Sequence, residues 1–123
     1  MSDPVLRNCR VLIAEDEFLL ADELQADLEE AGAIVIGPVS ALADAIALIE
    51  VEQHIDAAIL DANLGGEMVF PAADLLIARG VTIVFTTGYD ASIIPSRFGT
   101  VTRCEKPTNI KSIIPLIERS MQG

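Results

Sequence analysis

The sequence predicts an α/β fold built on a doubly wound, five-stranded parallel sheet. Short apolar or β-branched segments alternate with amphipathic segments five times, in units of about 20 to 25 residues, as is typical of parallel strands joined by right-handed helical crossovers. The apolar run 57–60 is too short for a helix and leads directly into Asp61, as expected for a strand buried on both faces. No linker or repeat interrupts the pattern, so we expect a single domain over residues 1–123, with its core at 9–121 and no further domain.

The first strand, 9–14, ends in three acids, Glu15 to Glu17. The segment 18–31 then carries apolar residues at helical spacing and acids on the opposite face, which predicts an amphipathic helix. Gly32 is the expected left-handed cap of this helix.

The second strand, 33–39, contains the pair Gly37-Pro38. Proline cannot donate a hydrogen bond to a neighbouring strand, so we expect this strand at an edge of the sheet. Ser40 is the expected cap of a second helix, whose buried stripe is formed by Leu42, Ile46 and Ile49.

The central strand is followed by Gly65-Gly66-Glu67, which we expect to be a flexible loop. The third helix comes next and ends at Gly80. Its expected buried stripe is Phe70, Ala73 and Ile77. The β-branched segment 81–86 is the fourth strand.

The segment 91–99 has a central proline and no convincing apolar stripe, so a fourth helix there is expected to be short or irregular. The fifth strand, 101–105, leads to Lys106-Pro107 at the same edge of the sheet. Thr108 is expected to cap a last helix, in which Pro115 predicts a kink.

The charge balance predicts a protein as partner. The chain has 19 acidic and 8 basic residues and a net charge of -11, which nucleic acids and anionic membranes would repel. The amino terminus lacks the apolar core of a signal peptide, and no apolar run approaches the roughly 18 residues of a membrane span, so we expect a cytoplasmic protein. Cys9 and Cys104 are expected to stay reduced, because two intervening strands would separate them by about 14 Å.

Three acids, one hydroxyl and one amine follow the ends of strands that should meet at one edge of the sheet. They are Glu15, Asp16, Asp61, Thr87 and Lys106. Each alone has an ordinary interpretation, as a helix acid, a turn residue or a surface charge. Together, the three carboxylates would repel one another by about 4 kcal/mol per pair at about 4 Å, so the site needs a counter-charge. Oxygen ligands favour Mg²⁺, and no His or Cys cluster argues for zinc.

A metal ion beside an ionised carboxylate fits nucleophilic attack by Asp61 on a phosphoryl group. In this hypothesis Mg²⁺ and Lys106 neutralise the phosphoryl oxygens, and the Thr87 hydroxyl donates a hydrogen bond to one of them. Each residue type then has a task.

This set of residues resembles the receiver domain of two-component response regulators, and the resemblance covers essentially the whole chain. The matching motifs are Glu15-Asp16 after strand one, Asp61 with Asn63 after strand three, Thr87-Gly88 after strand four and Lys106-Pro107 after strand five. The resemblance implies a flavodoxin-like receiver fold with strand order 2-1-3-4-5. It also implies a signalling protein that is not an enzyme, although it assists its own phosphorylation and dephosphorylation.

The resemblance further implies roles for individual residues. Asp61 would be the phosphoacceptor, Thr87 the switch hydroxyl and Lys106 the phosphoryl-binding cation. The implied ligands of Mg²⁺, with Mn²⁺ as a possible substitute, are Glu15, Asp16, Asp61 and the backbone carbonyl of Asn63. The resemblance also implies a cis peptide bond before Pro107 and an influence of Asn63 and Tyr89 on the phosphoryl lifetime. The donor would be a histidine kinase or a histidine phosphotransfer protein.

Two features depart from the commonest receiver pattern. Arg103 stands three places before the lysine, where many receivers carry an aromatic residue, so the usual coupling of that residue to the switch hydroxyl cannot operate unaltered. The run 85–89, Phe-Thr-Thr-Gly-Tyr, resembles a subgroup of single-domain receivers that have a Phe-Ala-Thr-Gly signature and a poorly ordered fourth helix. That subgroup is consistent with the weak helical pattern of 91–99.

We therefore expect a stand-alone receiver that signals by changing its contacts with a downstream protein, as a monomer or a phosphorylation-linked dimer. Two alternatives stay open, a receiver-fold interaction module that is never phosphorylated and a phosphorelay intermediate or phosphate sink. A hydrolase of the aspartyl-phosphatase type would need a second aspartate two residues after Asp16, where the chain has Phe18. A dinucleotide-binding protein would need a glycine-rich loop after the first strand.

Overall fold

Five parallel strands form the central sheet of the computed structural model, which describes residues 5–88, 93–106 and 110–122. The strands are β1 (Arg10–Ala14), β2 (Ile34–Val39), β3 (Ala57–Asp61), β4 (Thr82–Thr87) and β5 (Thr102–Glu105). Their spatial order is β2-β1-β3-β4-β5, and each neighbouring pair is parallel. The doubly wound sheet and the strand order 2-1-3-4-5 are therefore confirmed.

Helices cover both faces of this sheet. On one face lie α1 (Phe18–Glu30) and α4 (Ile110–Gln122), and on the other lie α2 (Leu42–Val51) and α3 (Phe70–Ala78). Between β4 and β5, the described residues include a short 3-10 helix at Ser96–Phe98 and form no α-helix. This agrees with the expected short or irregular fourth helix.

Alternate residues of the strands divide the core into two apolar clusters. In β1, Leu12 and Ala14 belong to the cluster under α2 and α3, whereas Val11 and Ile13 belong to the cluster under α1 and α4. All five residues of β3 are buried, so this strand is covered on both faces as predicted. The carboxyl end of β3 is thereby held at the centre of the sheet edge.

Several local predictions are confirmed. Gly32 and Gly80 follow α1 and α3 with φ values of 97° and 76°, as expected of glycines that end helices. The strand that contains Gly37-Pro38, β2, is an edge strand as predicted; the cis form of the Gly37–Pro38 peptide bond was not predicted. Cys9 and Cys104 are not joined by a disulfide bond.

Two predictions about helices are wrong. The residue that precedes α2 is Ala41, not Ser40; Ala41 is still extended, with φ -131° and ψ 150°, and no side chain caps the helix. In α3, Ile77 is 43% exposed, and Leu76 lies in the core instead. Adjacent apolar residues fit more than one helical stripe, so periodicity could not decide between these two side chains.

The segment after β3 is a short hairpin and not a flexible loop. Asn63–Leu64 pairs with Glu67–Met68 in antiparallel fashion across the two-residue turn Gly65-Gly66. The two glycines have φ values of 59° and 98°, and two-residue hairpin turns favour such positive values. The Gly66 N–H also donates a hydrogen bond to Asn63 Oδ1 at 2.7 Å. The glycine pair therefore forms a defined turn close to Asp61.

Helix α4 continues through Pro115, which lies on its exposed side. The predicted Thr108 cap, the cis bond before Pro107 and Tyr89 lie outside the described residues. None of the helices that the structure describes has the length and apolar character needed to cross a membrane.

Candidate functional site

The carboxyl ends of β1 and β3 bring three acids together. Glu15 and Asp16 directly follow β1, and Asp61 is the last residue of β3. One carboxylate oxygen from each of the three lies within 4.8 Å of the others. Glu15 and Asp61 are buried, with 3% and 5% exposure, whereas Asp16 is exposed. The three acids singled out in the sequence thus form one cluster.

Lys106 supplies positive charge to this cluster. Its Nζ atom lies 2.7 Å from Asp61 Oδ2, 3.0 Å from Glu15 Oε2 and 3.6 Å from Glu17 Oε2. The backbone N–H of Lys106 donates to the carbonyl oxygen of Thr87 at 2.7 Å, so the pairing of β5 with β4 fixes where the lysine leaves the sheet. Three carboxylates therefore surround an ammonium group that has three protons to donate.

The hairpin after β3 donates hydrogen bonds to one oxygen of Asp61 and one oxygen of Asp16. The Asn63 N–H donates to Asp61 Oδ1 at 3.1 Å, and the Gly65 N–H donates to Asp16 Oδ2 at 2.9 Å. Both oxygens of Asp61 thus accept a hydrogen bond, one from the hairpin and one from Lys106. The contacts of Gly65 and Glu17 were not predicted. The glycine pair itself was the signal that could have indicated a tight turn.

Burial and neighbouring charges shift the protonation equilibria of these groups. Burial raises the pKa of Glu15 to about 7, because the loss of solvation outweighs the hydrogen bonds from Glu17 N–H and Lys106. Burial also disfavours charged Lys106, but its hydrogen bonds to Asp61 and Glu15 prevail and raise the pKa of the lysine. Asp16 is exposed and loses only a little solvation, which the Gly65 N–H and the adjacent carboxyl groups outweigh, so the pKa of Asp16 lies below its usual value. Lys106 therefore stays charged, and the acidic cluster favours the binding of an additional cation.

The residues of the cluster fit a hard divalent cation. Glu15 Oε1 is buried and has no hydrogen-bond partner among the described residues, so it is available as a ligand. All three acids offer oxygen atoms, which Mg²⁺ and Mn²⁺ prefer. Within the described part of the chain, no His or Cys joins these acids. The role of the Asn63 carbonyl as a further ligand stays a prediction.

Aromatic side chains pack together on the face of β4 that carries Thr87. Thr87 ends β4 and is buried, and Phe85 lies two residues earlier on the same face of the sheet. The ring of Phe85 packs edge-on against Phe70 and Phe98 at centroid distances of 5.8 and 5.4 Å. Arg103 donates a hydrogen bond to the carbonyl oxygen of Phe98 at 3.4 Å. The aromatic rings on this side therefore come from β4, α3 and the 3-10 helix, and Arg103 links β5 to that helix.

Comparisons with known proteins identify similar solved structures. No protein-family model matches the sequence, and no curated protein matches it. The solution structure of SdrG from Sphingomonas melonis Fr1 is 35% identical over 100% of both chains, with a TM-score of 0.80. The BeF3-activated conformation of SdrG from Pseudomonas melonis Fr1 is 34% identical over 98% of this chain and 99% of that chain, with a TM-score of 0.73. A response regulator receiver protein from Sinorhizobium medicae WSM419 is 22% identical, covers 96% of this chain and 98% of its own, and has a TM-score of 0.80.

Proposed function

Because the chain belongs to the receiver-domain family of response regulators, we propose that it accepts a phosphoryl group on Asp61. The observation that supports this assignment is the position of the Asp61 carboxylate. It ends the central strand, is buried beside two further acids and accepts a hydrogen bond from the Lys106 ammonium at 2.7 Å. A carboxylate in this setting is a nucleophile with a cation already next to it.

In the proposed reaction a carboxylate oxygen of Asp61 attacks the phosphorus atom of a phosphorylated histidine. A new P–O bond forms while the P–N bond breaks, and the electron pair of that bond leaves with the histidine nitrogen. Lys106, which already contacts Asp61 Oδ2, stabilises the negative charge of the phosphoryl oxygens. The Thr87 hydroxyl is the proposed donor to one of these oxygens after transfer, which would make it the switch.

We propose that Glu15, Asp16 and Asp61, with the backbone carbonyl of Asn63, hold Mg²⁺ or Mn²⁺ during this reaction. The bound cation would supply neutralisation of the negative charge on the transferring phosphoryl group. The buried, unpartnered Glu15 Oε1 and the close approach of the three acids support the proposed ligand set. Phosphorylation is therefore expected to depend on a divalent cation.

A protein is the proposed donor of the phosphoryl group, either a histidine kinase or a histidine phosphotransfer protein. Phe18 and Leu19 begin α1 directly after the acids and are 80% and 76% exposed. Large apolar side chains at such exposure favour contact with another protein. The phosphorylated chain would then signal through protein contacts in the cytoplasm, and it would be modified rather than act as an enzyme on other substrates.

Phosphate-affinity electrophoresis after incubation with acetyl phosphate and Mg²⁺ tests this proposal. The wild-type protein is expected to give a retarded band, which Asp61→Asn and EDTA should abolish. Asp44→Asn is the matched control, because Asp44 is an exposed aspartate on α2, and this variant should be retarded like the wild type. Folded wild-type protein that gives no retarded band under these conditions or with candidate histidine kinases would contradict the proposal.

A further inference from the structure

Glu17 is a third acid at Lys106 and has no role in the proposed reaction as described so far. It is the residue that precedes α1, yet its side chain makes no capping hydrogen bond. Its Oε2 atom lies instead 3.6 Å from Lys106 Nζ. The Glu17 N–H donates to Glu15 Oε2 at 3.1 Å, and the same oxygen accepts from Lys106. The backbone therefore holds Glu17 beside the lysine.

The other two acids at Lys106 have further tasks in the proposed function. Asp61 would carry the phosphoryl group, and Glu15 belongs to the three acids that would bind the metal ion. Glu17 is not part of that three-acid cluster. It is thus the carboxylate at Lys106 that stays available to the ammonium when a metal ion and a phosphoryl group engage the other two.

We propose that Glu17 is a positioning residue that holds Lys106 toward phosphorylated Asp61. This inference rests on the proposed function, in which Lys106 binds the phosphoryl group. A lysine side chain is long and flexible, and the side chain of Lys106 is nevertheless only 15% exposed. Without the Glu17 carboxylate, the ammonium would be held only by Glu15, which would also bind the metal ion, and by Asp61, which would also carry the phosphoryl group. The phosphorylated state should then be weakened, whereas the metal site should be unaffected.

Binding of beryllofluoride, a phosphoryl mimic, and binding of Mn²⁺ separate these two effects. The Glu17→Gln variant is titrated with beryllofluoride at saturating Mg²⁺, followed by NMR, and separately with Mn²⁺ alone, followed by water-proton relaxation. Loss of a partly exposed ion pair is expected to weaken beryllofluoride binding roughly three- to fivefold. Mn²⁺ affinity should stay within about twofold of the wild type, because the Glu17 side chain is mostly exposed and Glu17 is not one of the three acids that would bind the cation.

Glu30→Gln is the matched control for the loss of one negative charge. Glu30 is an exposed residue at the other end of α1, about 20 Å from Glu17 along the helix axis, so both affinities should stay unchanged. Equal beryllofluoride affinities of Glu17→Gln and the wild type would overturn the inference. A parallel loss of Mn²⁺ affinity would also overturn it, since Glu17 would then act as a metal ligand. Wild-type protein that binds Mn²⁺ but no beryllofluoride would refute the proposed function, and this inference with it.

Discussion

Glu15→Gln is expected to stabilise the metal-free protein at neutral pH. Burial raises the pKa of Glu15 from 4.5 to about 7, so the folded protein binds this proton more tightly than the unfolded chain does. The stability that the protonated group contributes is fully present below about pH 4.5 and is lost as the pH rises through about 7. A pKa change from 4.5 to about 7 corresponds to about 3 kcal/mol of unfolding free energy. Glutamine stays neutral over this whole range and avoids that loss.

Urea unfolding in EDTA at a series of pH values from about 4 to 8 measures this effect. Circular dichroism is the suitable signal, because the chain contains no tryptophan. The difference in unfolding free energy between Glu15→Gln and the wild type should be near zero at the acid end and should rise to a maximum above about pH 7. Glu30→Gln, an exposed control, should stay within about 0.5 kcal/mol of the wild type throughout.

Saturating Mg²⁺ should reduce or reverse the advantage of Glu15→Gln, because the wild type gains more from binding the cation. Binding at a hundredfold excess over Kd contributes about 2.7 kcal/mol, which is comparable to the burial cost of the charged group. A difference between the two proteins that does not change with pH in EDTA would refute the reasoning. So would a Glu15→Gln variant that is less stable than the wild type at pH 8.

Three further substitutions test local features with urea unfolding. Thr86 is 1% exposed, and its Oγ1 has no hydrogen-bond partner among the described residues, so Thr86→Val should raise the free energy of unfolding by about 1 kcal/mol. A decrease would show that the hydroxyl is satisfied. Gly66→Ala, at φ 98°, should cost about 2 kcal/mol, and Gly65→Ala, at φ 59° in the left-handed helical region, about 1 kcal/mol. Two variants as stable as the wild type would mean that the turn does not constrain the backbone.

The sheet and its acid-rich edge could be predicted because they follow from simple rules. An apolar run that ends in Asp61 can be buried on both faces only near the middle of a parallel sheet. Once the strands are parallel, Glu15, Asp61 and Lys106 must leave the sheet at the same edge, whatever their separation along the chain. Periodicity and topology were sufficient for this level of description.

Short-range features, such as the hairpin and individual side-chain contacts, could not be predicted from periodicity and topology. The strands of the hairpin have two residues each, which is too short for any periodic pattern. The Glu17–Lys106 ion pair depends on where two long side chains meet, and neither residue is distinctive on its own. Leu76 and Ile77 are both apolar, and only the packing of α3 decides which of them is buried.

The pairing of β5 with β4 determines where residues can be inserted or deleted without moving Lys106. Insertions or deletions between 88 and 101 leave Lys106 in place as long as Glu105 still pairs with Thr87. A slip of one residue in that pairing would move Lys106 by about 3.3 Å and turn its side chain to the other face, so the ammonium would leave both Asp61 and Glu15. Length changes in the preceding connection should therefore be better tolerated than any change in the number of residues from Thr102 to the lysine.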